Sequence, residues 1–75
     1  MTGIVSNVIV TKKYGFISGD NGQEYFFHAL DAEGWWDGIV AAFSKIGGGK
    51  VKVDFEAVKT PKGPRAKNVA LIDLS

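Results

Sequence analysis

The sequence predicts an all-β fold: five short antiparallel strands closed into a small barrel, with a short helix or long loop after strand three. Three observations carry that expectation. The apolar runs are short, alternate or are β-branched, and are bounded by turn residues. Asn21-Gly22 separates two aromatic-rich runs, the pattern of a hairpin. Residues 31–50 break the strand pattern, with apolar residues recurring at spacings of three and four. Closure then follows from edge chemistry, because five short strands in an open sheet would leave unpaired backbone groups exposed.

The elements follow in order. Ile4 to Val10 is rich in β-branched residues and too short for a stable helix, so it reads as the first strand. Thr11-Lys12-Lys13 makes a turn, and Tyr14 to Ser18 forms the second strand. Gly19-Asp20-Asn21-Gly22 supplies the hairpin turn, since Asn-Gly tolerates positive φ, and Gln23 to His28 returns as the third strand. Trp36, Ile39, Val40, Phe43 and Ile46 share one helical face, with Asp37 as the expected cap and Gly47-Gly48-Gly49 as the stop. Val51, Val53 and Phe55 alternate with Lys52, Asp54 and Glu56 as a half-buried fourth strand. Thr60 to Pro64 reads as a loop, because neither proline can donate to a ladder, and Lys67 to Leu74 as the last strand.

A chain of 75 residues has room for one domain, residues 1–75. With no cysteine and one histidine, it can build neither a disulfide framework nor a zinc site of its own, so no cofactor or metal is expected. No apolar run approaches membrane-spanning length, and Met1 reads as the start of a soluble, cytoplasmic protein. Net charge is only +1, but its distribution is uneven: residues 1–44 hold two lysines against five acids, and residues 45–75 seven basic residues against three acids. Lys59, Lys62, Arg65 and Lys67 fall in one stretch with no acid between them, a local stripe able to attract phosphate or simply to keep a loop solvated.

The aromatic pattern is the most informative feature. Side chains at i and i+2 of a strand share a face, which sets Tyr14 and Phe16 opposite Gly15 and Ile17, and sets Phe26 and His28 opposite Tyr25 and Phe27. In a hairpin, four flat π-surfaces then lie together on one side while other aromatics fill the core. A spare aromatic face suits unpaired bases, whose stacking is worth roughly 1–3 kcal/mol each.

Lys12-Lys13-Tyr14-Gly15-Phe16-Ile17 resembles the first RNP motif of the cold-shock domain, Lys-Gly-Phe-Gly-Phe-Ile, and Tyr25-Phe26-Phe27-His28 resembles the second, Val-Phe-Val-His. Thr2-Gly3-Ile4-Val5 is similar to that family's opening strand, and Lys62-Gly63-Pro64-Arg65-Ala66-Lys67-Asn68-Val69 to its closing segment. The motifs occur in family order; an RRM carries its RNP1-type sequence second and needs two helices. The resemblance implies an OB-type barrel that binds single-stranded RNA or DNA, stacking bases on Tyr14, Phe16, Phe26 and His28. It further implies Lys12 near phosphate or a base edge, with Lys62 and Arg65 flanking the groove, and an RNA-chaperone or regulatory role under stress. The chain departs from the family at Ser6-Asn7-Val8-Ile9, where Lys-Trp-Phe-Asn is usual, at Ala29, where an aromatic usually follows the histidine, and at Lys13, which replaces a glycine.

Trp35 and Trp36 leave three uses open: packing in the barrel mouth, a replacement base platform, or a self-association surface, with at least one expected to be structural. The alternative to nucleic-acid binding is accordingly an interaction module working through these tryptophans. Gly47-Gly48-Gly49-Lys50 is no phosphate loop, because Val51 stands where Ser or Thr should hold magnesium. As a hinge it would permit strand exchange, so a monomer or a strand-exchanged dimer is expected. An enzyme is not expected: the lone histidine has no nucleophile in its motif, and Asp20, Glu24, Asp31, Glu33 and Asp37 read as turn and surface acids.

Overall fold

The computed structural model describes residues 1–46 and 51–73. Five strands form a closed barrel: β1 (Thr2–Ile9), β2 (Tyr14–Gly19), β3 (Glu24–His28), β4 (Lys52–Thr60) and β5 (Gly63–Asp73). One helix, α1 (Trp36–Ile46), lies between β3 and β4. Around the ring the order is β1-β2-β3-β5-β4, with β4 meeting β1 to close it. The expectation of a wholly antiparallel sheet is corrected at one seam: β3 and β5 are parallel, paired at Phe26 and Arg65. An odd number of strands in a closed ring cannot alternate direction throughout, so one parallel neighbour is unavoidable.

The local chemistry explains the turns. Val10–Lys12 forms a single 3-10 turn that Lys13 ends in the left-handed region, at φ 58° and ψ 45°. At the β2–β3 hairpin only Gly22 takes positive φ (83°), and Asn21 steadies the turn by accepting from the Gln23 N–H at 3.0 Å and donating to the Tyr25 hydroxyl at 2.9 Å. The expected loop at residues 60–64 contracts to Pro61-Lys62, because β4 runs on to Thr60 and β5 begins at Gly63. Thr60 holds that turn through its hydroxyl, which donates to the Gly63 carbonyl at 2.7 Å, while Gly63 supplies a φ of 122°. Pro64, second in its strand, sits where a missing donor is tolerated. Asp37 lies inside the first turn of α1 rather than capping it, where its carboxylate complements the helix dipole. The proposed glycine stop and hinge at residues 47–49 lies outside the described residues.

Alternation sorts the strands into an inner and an outer surface. Val5, Ile17, Phe27, Val51, Val53, Phe55 and Val69 fill the barrel, and α1 adds Ile39 and Ala42 to the same cluster. Tyr25 belongs there too, with its hydroxyl satisfied by Asn21. Of the predicted stripe, Ile39 is buried and Trp36 and Phe43 are half-buried against the core, with Ala42 in place of Val40 and the Ile46 side chain outside the described residues. Gly3 and Gly15 are required by close approach. A Cβ at Gly3 would stand 2.6 Å from the Ser18 carbonyl oxygen, and one at Gly15 only 2.7 Å from the Asn7 carbonyl oxygen.

Candidate nucleic-acid interface

The β2–β3 hairpin positions the candidate face. Tyr14 lies directly across from His28 and Phe16 directly across from Phe26, while Gly15 opposes the buried Phe27. All four outward residues are half-buried, and their neighbours Gly15, Ile17, Tyr25 and Phe27 are buried. Ring centroids are 5.8 Å apart for Tyr14 and Phe16, 5.4 Å for Tyr14 and Phe26, and 6.0 Å for Phe16 and Phe26. These spacings fall in the range of interacting aromatic pairs, about 4.5–7 Å, so the three rings brace one another as one patch. Asn7, on β1, pairs with Phe16 just past a register shift, and its side-chain oxygen accepts from the Val8 N–H at 2.9 Å.

His28 ends the hairpin and starts the next turn. Its Nδ1 accepts from the Leu30 N–H at 3.1 Å, and the Asp31 carboxylate accepts from the His28 N–H at 3.0 Å, a reciprocal cap on the 3-10 turn Ala29–Ala32. The same Asp31 oxygen, Oδ2, also accepts from Arg65 Nε and faces Arg65 Nη2, each at 3.0 Å. Asp31 is therefore no surface acid: its side chain is only 9% exposed, against 36% for Arg65. The guanidinium carbon sits 5.7 Å from the Phe26 ring centroid, within cation–π range.

A groove of about 520 Å³ opens beside the rings. Phe16, Phe26 and His28 form one side, and Thr60, Lys62, Gly63, Pro64 and Arg65 the other. Thus the parallel β3–β5 seam brings together Phe16, Phe26, His28, Lys62 and Arg65, with Tyr14 extending the patch. Lys12 is exposed at the end of the 3-10 turn before β2, beyond the groove lining. The two tryptophans part company. Trp36 packs on the buried Phe27 at 5.9 Å between centroids, a structural placement. Trp35 is 44% exposed and lines a second, smaller pocket with Leu30, Asp31, Glu33 and Asn68. Asp31, read from the sequence as a turn and surface acid, is the residue that holds the groove-lining Arg65. Its signal was available as an acid three residues after a residue ending a strand, the spacing of a capping box.

Among the described residues, no group of three or more His, Cys, Asp or Glu side chains could hold a metal ion. No described helix is long and apolar enough to cross a membrane.

A five-stranded closed barrel with one short helix after its third strand defines the OB-type class of fold. Residues 1–72 match the family model described as the 'Cold-shock' DNA-binding domain, and the chain belongs to that family. No individual curated protein matches the chain. The family carries a nucleic-acid partner for this chain in its description.

Proposed function

We propose that this chain binds unpaired RNA or DNA without catalysing a reaction, stacking bases on Tyr14, Phe16, Phe26 and His28 while Lys12 and Lys62 meet phosphates. One observation carries the reading: three rings within 5.4 to 6.0 Å of one another stand on the solvent side of a barrel whose core is already filled. Burial does not account for rings on that side, whereas a flat ligand does. Because every base has a π-face, such binding is broad, and a broad binder traps strands that open transiently. The cold-shock family membership suggests for this chain an RNA-chaperone or regulatory role under stress, exercised by a cytoplasmic single domain spanning residues 1–75, as a monomer or a strand-exchanged dimer.

Fluorescence anisotropy with a labelled pyrimidine oligonucleotide tests the reading. Binding at low salt should weaken as salt rises, with a log–log slope of about −0.7 per phosphate neutralised. Absence of binding at low salt would refute it. A second reading has its own observation, since Leu30 and Trp35 are 74% and 44% exposed as neighbours in one pocket wall. A protein partner or second copy docking there would bind with little salt dependence, and self-association would register as concentration-dependent mass in sedimentation.

A further inference from the structure

We propose that Arg65, held by Asp31, reads the edge of a base rather than a phosphate, and that bases presenting two adjacent acceptors are favoured beside it. The proposal rests on the single-strand binding reading above and adds base preference to it. Guanine, through O6 and N7, and cytosine, through O2 and N3, present such a pair; uracil, thymine and adenine alternate donors with acceptors.

The geometry fixes the guanidinium first. Its Nε and Nη2 converge on one oxygen of Asp31 at 3.0 Å, and that oxygen is itself anchored by the His28 N–H at 3.0 Å. The side-on edge of the fork is thereby occupied. The end-on edge, with one N–H of Nη1 and the second N–H of Nη2, meets no acceptor among the described residues. Two parallel donors in a rigid plane match two adjacent acceptors.

Charge then separates base from phosphate. Arg65 and Asp31 together are formally neutral, and a phosphate on the free edge would lie close to a carboxylate that is only 9% exposed. Like charges so placed repel, whereas a neutral base edge incurs no such cost. Position supplies the rest. Arg65 pairs with Phe26 across the β3–β5 seam, holds its guanidinium 5.7 Å from that ring and lines the same groove as Phe26 and His28, so a base seated in the groove comes within reach of the free donors. Single strands leave both Watson–Crick and Hoogsteen edges open to such contact.

Anisotropy titrations of the full chain with a short oligouridine, and with the same oligomer carrying one guanosine, cytidine or adenosine, test this. Replacement by guanosine, cytidine or both should tighten binding about tenfold, and adenosine should not. Inosine, which keeps O6 and N7, should match guanosine, and 7-deazaguanosine should lose the gain; a gain confined to cytidine assigns the contact to O2 and N3. Arg65→Lys keeps the charge but loses the planar fork, and should flatten the preference. Asp31→Asn leaves the guanidinium unneutralised and should steepen the salt slope by about 0.7, a change that mere loss of packing does not produce. Circular dichroism checks the fold of each variant, and the loss of preference expected in Arg65→Lys decides the matter if Asp31→Asn does not fold. Equal affinity for all oligomers, or a preference that survives Arg65→Lys, overturns this proposal alone. No binding to any oligomer overturns the binding reading with it.

Discussion

Phe16, Phe26 and Phe27 are one chemical type within twelve residues of chain, yet alanine at each should have different consequences. Phe27 is fully buried, packs on Trp36 at 5.9 Å and faces Gly15 across the β2–β3 ladder. Removing it leaves a cavity in a small core and should cost about 3–5 kcal/mol. A 75-residue domain has only roughly 4–11 kcal/mol in total, at about 0.05–0.15 kcal/mol per residue, so Phe27→Ala should leave the protein near unfolding. Phe16 and Phe26 lose mainly their mutual contacts and those with Tyr14, roughly 0.5–1.5 kcal/mol per aromatic pair. Their binding cost is larger: loss of one stacked base, about 1–3 kcal/mol, weakens Kd roughly 5- to 150-fold. Urea denaturation gives the stabilities and anisotropy the affinities. If Phe16→Ala or Phe26→Ala unfolds the protein as Phe27→Ala does, or leaves Kd unchanged, the outward face is a packing surface and the binding reading fails.

Other substitutions probe the scaffold that aims this face. Lys13→Gly should stabilise the domain by about 0.5–1 kcal/mol, raising Tm by several degrees, because Lys13 holds a left-handed conformation that costs a side-chain-bearing residue roughly 1–2 kcal/mol. Gly15→Ala should cost about 1–3 kcal/mol in urea denaturation, since its Cβ would meet the Asn7 carbonyl oxygen at 2.7 Å and the Phe27 ring at 2.9 Å. Trp36→Ala should cost about 3 kcal/mol by the same measurement, and Trp35→Ala within about 0.5 kcal/mol, as their unequal packing requires.

Much of the face was legible in the sequence because strand periodicity is strict. Once Asn21-Gly22 sets the hairpin, Tyr14, Phe16, Phe26 and His28 must share a side, and the ladder pairs them so. The helix was legible for a similar reason, since Trp36, Ile39 and Phe43 repeat at its period. The strand limits at residues 60–64 were harder to read. Two prolines suggested a loop, but a two-residue turn held by the Thr60 hydroxyl lets the ladder run past one of them.

Local pattern thus determines which side of each strand faces water and where the chain reverses, because those depend on residues a few positions apart. The meeting of β3 with β5 depends on closure of the whole ring. Only that closure sets Arg65 beside Phe26 and within reach of Asp31. Asp31 and Arg65 are 34 residues apart, and no periodicity links them; the contact exists because an odd-stranded barrel must join two parallel strands at one seam.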